Sequence, residues 1–126
     1  MKLHADRHGD LNAITAYGPD WIEVNGSRHH GSLLVRPQGP VTPWAVAGFQ
    51  ALDAASLLAL LDERPEVILL GTGAQLRFPS PALTRPLLQA GVGVEAMDSA
   101  AACRTYNILM AEGRQVLAAL LAQPPG

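Results

Sequence analysis

The spacing of apolar positions changes character near residue 50. Before it, Asn12–Tyr17 alternates weakly and Trp21-Ile22-Glu23-Val24 reads as a short strand. Gly18-Pro19-Asp20 turns the chain between them. Asn25-Gly26 follows, and both central residues of a type I′ turn need φ > 0, which asparagine and glycine accept. This predicts a hairpin with Glu23 facing Arg28 across the ladder as an opposite-charge pair. The return strand is expected to run to about Val35, where Pro37-Gln38-Gly39-Pro40 ends it. A further short strand is expected at Trp44–Ala47. The first third therefore reads as antiparallel β.

Helical spacing then begins. Asp53 is an N-cap candidate ahead of Leu57, Leu58, Leu60 and Leu61, and Pro65 closes that helix. Glu66-Val67-Ile68-Leu69-Leu70 is a short apolar run of the kind buried on both faces of a sheet. Ser80-Pro81 reads as a cap with proline at the first helical position. That helix is expected to turn Leu83, Leu87 and Leu88 inward and to stop at Gly91, with Pro86 as a kink or shortening point. Val92–Met97 is another strand, and Asp98 caps the next helix. Gln115–Ala122 is ambiguous: alanine and leucine favour helix, whereas Gly113 suggests a break. Strand-helix-strand-helix order implies a right-handed crossover and a partly parallel sheet. Residues 1–11 read as a flexible tail, 12–122 as a single α/β domain, and 123–126 as a C-terminal tail.

Composition narrows the function classes. The 126 residues are 48% hydrophobic, enough for one domain with a core. A net charge of −2 with scattered basic residues argues against a nucleic-acid partner. One cysteine excludes an internal disulfide and fits a reducing compartment. The N-terminus has no apolar run for a secretory signal, and no apolar stretch is long enough to span a bilayer, so a cytoplasmic location is expected.

The runs "ILLGTG", "RFP", "GVGVEAMD" and "AACRTYNILMAEGR", in that order and spacing, resemble a family of small uncharacterised α/β proteins. That family includes a mitochondrial complex I assembly factor and the adipogenesis-associated domain protein. The resemblance covers roughly residues 12–122 and is strongest from Glu66 to Arg114. It implies a mixed β-sheet flanked by helices, with an N-terminal antiparallel β-hairpin layer and residues 115–122 as a strand. It implies no catalytic residues. It also implies a protein partner, with any membrane association peripheral and made through that partner. The chain shows no mitochondrial presequence, so a bacterial cytoplasmic setting is expected.

Three groups of residues then compete for a role. Arg104 and Asn107 are expected on the helix face opposite the stripe of Ala102, Tyr106, Leu109, Met110 and Gly113. They would form either a docking surface, where arginine is favoured, or a solvated face pairing with Glu112 or Glu95. Thr72, Gly73, Arg77, Asp98 and Ser99 are expected to converge at the ends of two parallel strands, as a small-anion or ligand mouth or as a tight turn. Leu76 stands where a dinucleotide fingerprint wants its third glycine, so no nucleotide cofactor is implied. Cys103 is either a core residue at the margin of the stripe or a redox-sensitive thiol. His4, His8, His29 and His30 lack a third ligand, so no metal is expected. The leading expectation is a non-enzymatic protein-interaction module of assembly-factor type. The alternative is a small-molecule or anion-binding protein, or an enzyme, working at the mouth near Thr72, Arg77 and Ser99.

Overall fold

The computed structural model describes residues 10–122. The expected tails therefore lie outside it, except for Asp10 and Leu11, and Leu11 packs against the core. The chain is a mixed α/β fold built in three layers. Strands β1 (Ile14–Gly18), β2 (Trp21–Val24) and β3 (Ser27–His30) form an antiparallel sheet in that order. Strands β4 (Leu33–Val35), β5 (Thr42–Pro43), β6 (Val67–Gly71), β7 (Gly93–Met97) and β8 (Val116–Leu120) form a second sheet in the order β5-β4-β8-β6-β7.

The hairpin turn forms as its residues dictate, with Asn25 at φ 51° and Gly26 at φ 86°. Glu23 and Arg28 are opposite one another in register. They do not pair: the Arg28 guanidinium lies 3.7 Å from the Trp21 ring centroid, and Glu23 accepts a hydrogen bond from Thr15. A large aromatic face next to an arginine competes well with a half-buried carboxylate that already holds a hydroxyl donor. The return strand is also interrupted. Gly31 at φ 85° breaks it, and the chain crosses from the first sheet to the second before Leu33. Residues 44–47 join no ladder; the pairing with β4 is made by Thr42 and Pro43. The segment still alternates, with Trp44 and Val46 buried beneath the second sheet and Ala45 and Ala47 exposed.

Helix α1 (Ala54–Leu58) opens on Asp53, whose carboxylate accepts from Ser56 N while the Ser56 hydroxyl accepts from Asp53 N. It tightens into a 3-10 segment over Ala59–Glu63 ahead of Pro65. Helix α2 (Pro81–Gln89) keeps Pro86 inside it. The carbonyl that loses its donor belongs to Ala82, an exposed residue at the solvent side of the helix's first turn. Leu87 is fully buried, but Leu88 is 58% exposed and not inward as expected. A proline-containing helix leaning on the sheet by one edge has room for one leucine row, not two.

Residues 116–120 form a strand despite their helix propensity. β8 lies between β4, antiparallel, and β6, parallel, and every one of its residues is buried. Burial on both faces outweighs an intrinsic preference of a few tenths of a kcal/mol per residue. The alternation of β6 and β8 divides the core in two. Val67, Leu69, Val116, Ala118 and Leu120 face the hairpin sheet and helix α3 (Ser99–Ala111). Ile68, Leu70, Leu117, Ala119 and Leu121 face α1 and α2.

Candidate functional site

β6 and β7 are parallel, and their register sets Gly71 beside Met97 at one rim. α3 begins at that rim and lies close on the strand end. A side chain at Gly71 would put Cβ 2.8 Å from Leu120 Cδ2 and 3.1 Å from Ser99 Oγ. Gly73 then takes φ 95°, and its N–H donates to Ser99 Oγ at 2.9 Å while Ser99 N donates back to the Gly73 carbonyl at 2.8 Å. Thr72 is buried; its hydroxyl donates to the Gln75 carbonyl at 2.7 Å and accepts from Arg77 N at 3.1 Å. Asp98 accepts from Ala101 N at 2.8 Å, capping α3. Thr72, Gly73, Asp98 and Ser99 thus meet as expected, and they bond to one another and their own loops.

Arg77 does not join them. Its guanidinium lies 5.9 Å from the Phe49 ring centroid, on the α1 side of the sheet. The loop after Gly73 leaves the rim toward α2, and a cation–π contact holds the side chain there. An open cleft of about 370 Å³ does lie at the rim, between Gly73, Asp98 and Ser99 and the hairpin turn Tyr17-Gly18-Pro19. Its charged side chain is the Asp98 carboxylate, which opposes an anion.

The outer face of α3 carries a second surface. Arg104 is exposed, and its Nη1 donates to the Tyr17 hydroxyl at 3.1 Å. Ile108, one turn further on, is 58% exposed. Among the described residues Arg104 makes no ion pair with Glu112 or Glu95; the pairs present are Arg36–Glu63 and Arg114–Glu66. Asn107 turns inward instead. Its Oδ1 accepts from Ile14 N at 2.9 Å and its Nδ2 donates to the Ile14 carbonyl at 2.8 Å. Beside it the buried Tyr106 hydroxyl donates to the Asn12 carbonyl at 2.7 Å. Asn107 and Tyr106 together fasten the hairpin sheet to α3.

Cys103 is buried, with 1% of its surface exposed. Burial pushes its thiol up to about 12, with Arg104 acting weakly the other way. It packs within the core cluster, and a thiol so far from its thiolate form is a poor nucleophile. Gly113, expected in the buried stripe, is exposed at φ 82° and ends the helix. Among the described residues no three His, Cys, Asp or Glu side chains gather to hold a metal, and His4 and His8 lie outside those residues. Tyr17 and Ile108 escaped the sequence reading. Ile108 was legible four residues after Arg104, on the same helical face; Tyr17 meets Arg104 only through the tertiary fold.

Residues 14–121 match the model of a family described as protein of unknown function (DUF498/DUF598). The chain belongs to this family. It is 36% identical over 115 residues to NADH dehydrogenase [ubiquinone] 1 alpha subcomplex assembly factor 3 of Bos taurus, covering 90% of this chain and 62% of the bovine protein. It thus spans less than two thirds of that relative's length. It is 39% identical over 111 residues to an uncharacterized protein of Rhodobacter capsulatus, covering 88% of this chain and 85% of the other. A crystal structure from Bordetella parapertussis superposes with a TM-score of 0.84 at 50% identity, covering 89% of this chain and 96% of that one. No described helix is long and apolar enough to cross a membrane.

Proposed function

We propose that this protein is a non-enzymatic interaction module that assists assembly of a respiratory NADH dehydrogenase in the cytoplasm, docking through the α3 face. The observation that carries the reading is the Tyr17–Arg104–Ile108 surface. A tyrosine and an arginine held to each other by a hydrogen bond stand next to an apolar side chain left largely in water. Tyrosine and arginine dominate protein–protein hot spots, and a tethered pair loses little side-chain entropy on binding. Arg104 has no carboxylate partner among the described residues, so its charge is available to an acidic group on a partner. The kinship with an assembly factor supplies the class of partner, and the lone buried cysteine supports a reducing compartment.

The test is complementation in the native host. Deleting the gene is expected to lower the amount of fully assembled NADH dehydrogenase in membranes, read on native gels. The wild-type chain restores it, and Arg104→Glu with Ile108→Asp does not. Both positions are exposed, so the double variant should melt at the wild-type temperature. Full assembly in the deletion strain would end this reading.

A further inference from the structure

The second sheet has two outer strands, and they are protected very differently. β5 is two residues long and contains Pro43, which has no N–H to offer. β7 is five residues long and contains no proline. In the hairpin sheet, β3 exposes Arg28 and His30, and β1 is bonded by Asn107. Among the described residues, β7 presents a mostly uncharged edge with unpaired backbone groups.

The geometry of that edge is set by its pairing with β6. Thr72 N donates to the Met97 carbonyl, so Met97 directs its backbone groups toward β6. Backbone groups alternate sides along a strand, so Glu95 and Gly93 do the same, and Val94 and Ala96 direct theirs outward. Among the described residues nothing bonds the N–H or C=O of Val94 or Ala96. A groove of about 340 Å³ runs beside them, walled by Phe78, Pro79 and Thr84 and lined by Glu95 as well as by Val94 and Ala96. Phe78 is 75% exposed, the most exposed large apolar side chain among the described residues. An unpaired edge with an apolar wall beside it has the two parts needed for strand addition: backbone bonds for affinity and a pocket for alternate side chains.

We propose that the β7 edge and the Phe78 groove bind an extended protein segment that alternates apolar and basic residues. This site does not depend on the Arg104 face. Val94 packs toward the α1/α2 core and Met97 toward the other, so along the pleat the Val94 and Ala96 side chains share one face and the Glu95 side chain leaves the strand on the other, at the groove's border. Segment side chains on the face of Val94 and Ala96 meet Phe78 and are apolar. The side chain opposite Glu95 is basic, because Glu95 is exposed and has no ion pair among the described residues. The same charge disfavours a second copy of this chain. The antiparallel register that uses Val94 and Ala96 on both copies sets Glu95 directly against its own counterpart, a destabilising like-charge pair.

The test is titration of the isotopically labelled full chain with a capped hexapeptide alternating lysine and valine, followed by amide chemical shifts. The expected result is saturable shifts at Val94, Glu95 and Ala96 and slowed hydrogen exchange at the Val94 and Ala96 amides. A peptide N-methylated on its bonding face should bind at least about tenfold more weakly, since backbone hydrogen bonds are lost. Glu95→Lys, at an exposed position, should switch preference to a peptide alternating glutamate and valine. Shifts confined to other residues, absence of saturable binding, or equal binding of the N-methylated peptide overturns the proposal. Concentration-dependent dimerisation that the peptide displaces overturns the choice of occupant in favour of a second copy.

Discussion

The side-chain amide of Asn107 does for β1 what a neighbouring strand would do. One group accepts from the Ile14 N–H and the other donates to the Ile14 carbonyl, at 2.9 and 2.8 Å. Without it both backbone groups would be left partly buried and unpaired, because α3 covers that side of the strand. Asn107→Ala is therefore expected to lower stability by about 2–3 kcal/mol, measured as a urea midpoint. A midpoint equal to wild type would show that water replaces the amide. Asn107→Asp should not rescue, because a carboxylate cannot donate to the Ile14 carbonyl. In sequence Asn107 looked like a companion of Arg104, since the two are three residues apart on one helix. The helix is covered on more than half its circumference, so three residues separate a free side chain from an engaged one.

At the scale of elements, the rim of the second sheet depends on how closely α3 approaches β6. Gly71 allows that approach, with Leu120, Ser99 and Ala102 all within 3.3 Å of where its Cβ would stand. Gly71→Ala forces the helix outward or the Leu120 side chain aside. The expected loss is about 1–3 kcal/mol of stability, read by thermal unfolding. Faster exchange of the Gly73 amide, which bonds Ser99 Oγ at 2.9 Å, should accompany it. A wild-type melting temperature would mean that Leu120, the far end of a flexible side chain, absorbs the clash. The polar residues of this rim were legible as a cluster because they sit at strand ends and a helix cap. Arg77 was not separable from them in sequence. Its backbone N–H does bond Thr72, but the side chain follows the loop to Phe49.

For the whole molecule, two buried acids tie stability to alkaline pH. Burial raises the Cys103 thiol from 9.0 to about 12 and raises the Tyr106 hydroxyl above its ordinary 10.0. The unfolded chain releases these protons first, so above about pH 9 it binds fewer protons than the folded chain. The stabilisation is complete below the unfolded values and is lost as pH rises toward the folded ones. Urea midpoints should hold steady to about pH 8 and then fall up to about pH 11. Cys103→Ala should make that fall shallower. A thiol reagent should label Cys103 only after denaturation, and rapid labelling of the native protein would contradict the burial that drives both effects.

Local chemistry along the chain determined the turns, caps and strand cores. Asn25-Gly26, Asp53, Ser80-Pro81 and Asp98 act on backbone within three residues of themselves, so their effects need no partner from afar. The mixed α/β class followed from the order of those elements and from the family resemblance. Tertiary structure alone decided the rest. It made 116–120, against its helix propensity, the strand that the family resemblance implied, by burying both its faces; it also crossed the chain between sheets at Gly31, brought Tyr17 to Arg104, and left β7 at an open edge. Each of these depends on residues tens of positions apart in the chain, and periodicity within one segment carries no information about which distant segment will cover it.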